Sequence, residues 1–285
     1  MNRRPPMSPP AIPGFRFERL LGSGGYSDVF LYEQEMPRRL VAIKVLLADR
    51  LDDRALQLVA DEANAMAAVS THPYIVTIFH ADIGRGGNPY IVMEYYPRPN
   101  YSVRARKEQI PVADVLRAGI QVASAVETAH RAGIIHRDIK PSNIQVTWLA
   151  NGKFVSKFVD FGLAKFFEKP SKQTVRQDGT VLGSIYYMAP EQFERLPLDN
   201  RSDIYSLGCV FYFALTMHRP HEGETVNDVI NGHLRGGATR IRDFRPNVPR
   251  DLEKWVEWMM SRSPDSRPAD AELALTALRQ IIAGQ

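Results

Sequence analysis

A short run, His136-Arg137-Asp138-Ile139-Lys140-Pro141-Ser142-Asn143, holds an aspartate and an asparagine close together, and Asp160-Phe161-Gly162 brings a second aspartate. Ala189-Pro190-Glu191 follows. Residues of these types suit transfer of a phosphoryl group to an alcohol. The reaction needs a carboxylate to take the hydroxyl proton and hard oxygen donors to hold the metal that carries the phosphates. A lone Asp-Phe-Gly can be any strand-to-turn junction. The order of the segments carries the reading.

Other elements must position these groups. Val41-Ala42-Ile43-Lys44 reads as a strand, with Val41, Ile43 and Val45 on one face and Ala42, Lys44 and Leu46 on the other. Alone, Lys44 would be a solvated strand lysine. It is preceded by Leu21-Gly22-Ser23-Gly24-Gly25-Tyr26-Ser27-Asp28-Val29-Phe30, a glycine-rich turn between two strands. Its plain alternative is an ordinary tight hairpin. Glycines let a turn's backbone approach an anion closely, so a hairpin folded over a triphosphate accounts for both segments. From Asp52 to Ala68, apolar residues recur at helical spacing, and Glu62 lies where it could pair with Lys44.

Together these segments resemble a Hanks-type serine/threonine protein kinase from about Phe15 to Ile282. Gly-Gly-Tyr-Ser-Asp-Val in the turn, His72-Pro73-Tyr74-Ile75-Val76 and the stretch His218 to Thr225 are most similar to bacterial members. The resemblance implies that Asp138 is the catalytic carboxylate and that Lys140 contacts the γ-phosphate. Lys44, aimed by Glu62, would hold the α/β-phosphates of ATP under Gly22, Ser23, Gly24 and Gly25. Asn143 and Asp160 would bind Mg²⁺, or Mn²⁺ in its place. Met93, Glu94 and Tyr96 match gatekeeper and hinge, with Val29 and Ala42 above the adenine and Gln145 below it. Asp203 would hold the catalytic-loop backbone, Glu191 and Arg267 would form a buried ion pair, and Ser184 would bond the catalytic Asp and Lys. Arg137 implies a counter-anion, supplied by phosphate at Thr174 or Thr180 on the activation segment, Asp160 to Glu191.

Three features depart from the family pattern. Ser27 replaces the third glycine, polar Gln145 stands where an apolar residue usually floors the adenine, and the interval from Asn143 to Asp160 is lengthened. The last reads as an extended turn, with Asn151-Gly152 suiting a type I′ hairpin.

Composition is that of a globular protein: 285 residues, 44% hydrophobic, 24% charged and a net charge of +4. No basic run interleaved with aromatics suggests a nucleic-acid partner. Cys209 is the single cysteine, which fits a reducing compartment. No segment is apolar enough to cross or contact a membrane, so a cytoplasmic domain is expected, or the cytosolic part of an anchored protein. The proline-rich residues 1–14 read as a disordered tail. The resemblance implies an α+β, two-lobed kinase fold. Residues 15–95 would form an antiparallel-sheet N-lobe with one main helix, and 96–285 a helical C-lobe. Helices are expected over Val112 to Ala132, Asp203 to Met217, Asp251 to Met260 and Glu272 to Ile282.

The expected activity is transfer of the ATP γ-phosphate to Ser/Thr hydroxyls of protein substrates, with autophosphorylation, for which a homodimer acting in trans is compatible. A nucleotide-binding pseudokinase scaffold is the alternative, and Gln145 points to it. A small-molecule kinase would share Asp138 and the metal ligands, but has no use for Ala189-Pro190-Glu191 and a long activation segment.

Overall fold

The structure, a computed structural model, describes residues 5–24, 27–47, 63–97, 100–107, 109–149, 151–152, 154–159 and 183–284. The chain forms two compact units, Met1–Pro97 and Arg98–Gln285.

In the first unit, β1 (Phe15–Ser23), β2 (Ser27–Gln34), β3 (Arg39–Leu46), β4 (Ile78–Ile83) and β5 (Pro89–Glu94) make one antiparallel sheet in the order β1-β2-β3-β5-β4. Side-chain alternation sorts its two faces. Phe30, Tyr32, Val41, Ile43, Val45, Tyr90 and Val92 pack into one cluster. The opposite face carries Val29 across from Lys44, Lys44 across from Ile91, and Ala42 across from Met93. Of the helix expected over Asp52 to Ala68, the described part, 63–69, is helical (α1).

The expected disordered tail is corrected by the packing of residues 5–14. Ile12 is buried within the sheet cluster, and Met7 packs against it. The Tyr32 hydroxyl donates to the Pro10 carbonyl at 2.7 Å, and the Met7 N–H donates to Asp28 Oδ2 at 2.7 Å. The proline-rich composition predicts an extended segment but does not exclude two apolar side chains covering an apolar face.

The second unit begins with α2 (Tyr101–Lys107) and α3 (Val112–Arg131). The hairpin β6 (Ile144–Trp148) and β7 (Phe154–Phe158) comes next. It is followed by α4 (Pro190–Glu194), α5 (Asn200–Thr216), α6 (Val226–Arg235), α7 (Ile241–Phe244), α8 (Arg250–Met259) and α9 (Ala271–Ala283). Every residue of α5 from Ser202 to Thr216 is buried, so it is the central helix of this unit. Cys209 lies buried within it, and the Trp255 indole donates to the Ala274 carbonyl at 2.9 Å.

Two local readings change. Asp203 does not open its helix: Asp199 caps the N-terminus by accepting from the Arg201 N–H, which adds a turn before the apolar stretch. The β6–β7 connection is not a two-residue type I′ turn. Trp148 and Phe154 are the last pair, the Gly152 N–H donates to the Leu149 carbonyl at 2.8 Å, and Gly152 takes a φ of 76° while Asn151 does not go positive. A type I′ turn requires positive φ at both central residues.

Candidate active site

The second unit builds its cluster from the first turn of α5. Asp203, fully buried, accepts the His136 N–H at 2.7 Å on Oδ2 and the Arg137 N–H at 2.8 Å on Oδ1. His130 Nε2, at the end of α3, lies 2.9 Å from Oδ2. These bonds satisfy a buried carboxylate and fix the loop between α3 and β6. Arg137 takes a left-handed φ of 62°, which costs a non-glycine residue about 1 kcal/mol or more. It is held there from both sides, because Gln192 Nε2 also donates to its carbonyl at 3.1 Å.

The loop then presents Asp138. Lys140 Nζ donates to Asp138 Oδ2 at 2.5 Å and to Ser184 Oγ at 2.9 Å. A 3₁₀ turn, Pro141–Asn143, carries Asn143, whose Nδ2 donates to the Asp138 carbonyl at 3.1 Å. The Asn143 carbonyl accepts the Val159 N–H at 2.9 Å, which ties this turn to the end of β7. Asp138, Lys140, Asn143 and Ser184 therefore converge, with Lys140 bonded to both Asp138 and Ser184. Arg137 Nε is buried without a hydrogen-bond partner among the described residues.

The segment following Ser184 is anchored at Glu191. Arg267 donates to Glu191 Oε1 at 2.7 Å and Oε2 at 2.8 Å, and the Ser202 hydroxyl adds a third bond at 2.7 Å. Burial pushes the Glu191 carboxyl up, but the bonds and charge of Arg267 outweigh it and hold the group below the usual range. Gln192 was missed by sequence reasoning. Its Oε1 accepts the Ala189 N–H at 2.8 Å while its Nε2 reaches Arg137, so one side chain joins this segment to the loop. Proline at the first and glutamine at the third helical position mark a helix start, but nothing local names the partner.

In the first unit, Val29, Ala42, Lys44 and Met93 share one sheet face, and Lys44 is buried. Gly22 pairs with Val29 and Ser23 with Asp28 at the mouth of the glycine-rich turn, where the Gly24 N–H donates to the Ser27 carbonyl at 2.8 Å. The Glu94 N–H donates to the Thr77 carbonyl at 2.8 Å at the end of β5, and Tyr96 follows in the segment leading out of this unit. Gln145 lies in β6, bridged to Asn100, with its Oε1 buried and unpartnered among the described residues. Gly25, Glu62, Asp160, Thr174 and Thr180 lie outside the described residues.

Residues 15–278 match the protein kinase domain family. The serine/threonine-protein kinase PknK of Mycobacterium tuberculosis is 34% identical over 270 residues, covering 94% of this chain and 24% of that protein. The serine/threonine-protein kinase PknB of Mycobacterium leprae is 32% identical over 270 residues, covering 93% of this chain and 42% of that protein. The chain thus spans well under half the length of these relatives. The crystal structure of the Mycobacterium tuberculosis PknI kinase domain superposes with a TM-score of 0.70 at 22% identity, covering 95% of this chain and 97% of that one, a likeness of fold. The antiparallel sheet unit, the helical unit and the match across nearly the whole chain lead to one conclusion: this chain belongs to the protein kinase family, in the Hanks-type serine/threonine branch its bacterial relatives represent.

Proposed function

We propose that this chain is an ATP-dependent serine/threonine kinase domain that phosphorylates protein hydroxyls and its own activation segment at Thr174 or Thr180. The observation that carries the reading is the Lys140 ammonium joining Asp138 and Ser184 at 2.5 and 2.9 Å. In this reading the Asp138 carboxylate orients a substrate Ser or Thr hydroxyl and accepts its proton as the oxygen bonds to the γ-phosphorus. The bond from γ-phosphorus to the β–γ bridging oxygen breaks, and ADP leaves with the electron pair. Lys140 neutralises charge on the transferred group, and Lys44 holds the α/β-phosphates.

The residues fit a divalent cation. Asn143 is buried and donates its Nδ2 to the Asp138 carbonyl, while its carboxamide oxygen takes only a long 3.4 Å bond from the Ser142 hydroxyl and keeps a lone pair as a hard donor of the kind Mg²⁺ or Mn²⁺ takes. Asn143 would hold the metal with Asp160, and the ion supplies neutralisation of the phosphate oxygens. The unpartnered Arg137 Nε fits a counter-anion such as phosphothreonine. Assembly into a homodimer for trans-phosphorylation and a cytosolic setting go with this reading. Among the described residues, no helix is long and apolar enough to cross a membrane.

A second reading, a nucleotide-binding scaffold without turnover, is favoured by the unpartnered Gln145 Oε1 in place of an apolar floor. Incubation with Mg²⁺ and ATP, followed by mass spectrometry of the intact protein and of Asp138→Asn, separates the two. Phosphate on Thr174 or Thr180 in the unaltered chain alone is the expected result. Nucleotide binding without phosphate on the chain or on a generic protein substrate favours the scaffold.

A further inference from the structure

We infer that Asp28 is a positioning residue for the glycine-rich turn, and that the Met7 N–H of residues 5–14, the leader, secures its setting, so that leader docking tunes ATP affinity.

Asp28 is fully buried on the sheet face opposite Lys44, in line with Phe30 and Tyr32. A carboxylate in such a place is costly unless hydrogen-bonded. Its Oδ1 accepts the Ser23 hydroxyl at 2.5 Å and its Oδ2 accepts the Met7 N–H at 2.7 Å. Ser23 is the last residue of β1 and stands directly across from Asp28, so the first bond ties the two flanks of the turn together. The second adds the leader to the same carboxylate.

The leader is held independently further along. Ile12 is buried against the sheet, the Pro10 carbonyl accepts the Tyr32 hydroxyl, and the Gly14 carbonyl accepts the Glu35 N–H at 2.9 Å. The Met7 bond is therefore a tether made by a segment already seated. Restricting the flanks lowers the ordering cost when backbone amides of the turn receive phosphate, and such preorganisation appears as tighter binding. The inference rests on the reading of this turn as the ATP phosphate site.

Two substitutions at one position isolate the tether. Met7→Pro removes the N–H and leaves the Ile12 contact, whereas Met7→Ala keeps the N–H and removes the side chain. Steady-state kinetics on the full chain should show KM for ATP raised at least about fivefold in Met7→Pro, the lower end of ordinary coupling strengths, with kcat within about twofold. Met7→Ala should match the unaltered protein. Asp28→Asn, which also weakens the Ser23 bond, should raise KM at least as much as Met7→Pro, and adding Met7→Pro to it should change little further, because the Met7 bond ends on that carboxylate. An unchanged KM in Met7→Pro, or equal shifts in Met7→Pro and Met7→Ala, overturns the inference. Should Met7→Pro fail to fold, the same KM comparison on Asp28→Asn decides it.

Amide hydrogen exchange over residues 20–30 tests the tether without nucleotide. Exchange should quicken in Met7→Pro and not in Met7→Ala, and equal exchange in both overturns the inference. If the unaltered chain binds no ATP while exchange responds as expected, the nucleotide reading fails and the tether stands.

Discussion

Arg267 places every N–H donor of its guanidinium on a partner, and two of them on Glu191. Nη1 and Nη2 bond the two carboxylate oxygens at 2.7 and 2.8 Å, and the remaining donors reach the carbonyls of Ser261, Arg201 and Arg262. The pair joins the start of α4 to the loop between α8 and α9, and the Arg267 guanidinium also lies 4.8 Å from the Tyr205 ring centroid.

Breaking this pair from one side leaves a buried charge without its partner. Arg267→Met is expected to destabilise the second unit by ~3–5 kcal/mol, read as a shift in the urea midpoint. Because Glu191 is held below its ordinary range, the stability it contributes is present above the unfolded carboxyl pKa and is lost as pH falls through the folded one. The acid limb of the pH–stability curve should therefore flatten in Glu191→Gln.

A histidine pair beside α5 gives a separate acid sensitivity. His221 and His233 pack with ring centroids 4.7 Å apart, and the Tyr205 hydroxyl lies 2.8 Å from His233 Nδ1. Burial lowers the His221 pKa to about 4, and burial together with His221 lowers that of His233 to about 3. The unfolded chain takes up these protons first, so stability is full above the unfolded histidine value and falls as pH drops below it, levelling off below the folded values. Each histidine contributes a slope of about 1.4 kcal/mol per pH unit in that window. Denaturant titrations from pH 7 to 5 should show it, and His221→Asn should remove roughly half the slope.

Replacing the Asp138 carboxylate removes the proposed proton acceptor but leaves the residues assigned to phosphate. Asp138→Asn should lower kcat by on the order of a hundredfold or more, with little change in nucleotide affinity by calorimetry. Turnover equal to that of the unaltered chain would sink the assignment.

Asp203→Asn tests positioning in place of chemistry. The loop loses a charged acceptor for the His136 and Arg137 N–H groups, so kcat should fall while KM for ATP changes little. Thermal unfolding measured alongside should show a loss of about 2 kcal/mol or more.

The Gln145 carboxamide presents a buried acceptor without a partner among the described residues, which costs ~1–3 kcal/mol. Gln145→Leu should raise the melting temperature and lower KM for ATP. A higher KM would mean that Gln145 itself contacts the nucleotide.

Residue types and order were enough to determine the family. Asp138, Lys140 and Asn143 sit in one contiguous run, and alternation along β3 correctly separated Lys44 and Ala42 from Val41, Ile43 and Val45, because strand period is a local property. Cores of the long helices were legible for the same reason, α3 and α8 within a residue or so of their expected bounds. What tertiary structure decided were contacts between segments far apart in the chain. The Gln192 bridge to Arg137 and the Met7 bond to Asp28 carry no local signal, since neither partner's neighbours specify the other. The leader was misread because disorder was inferred from its prolines. Burial of Ile12 depends on an apolar sheet face that exists only once β2, β3 and β5 have paired.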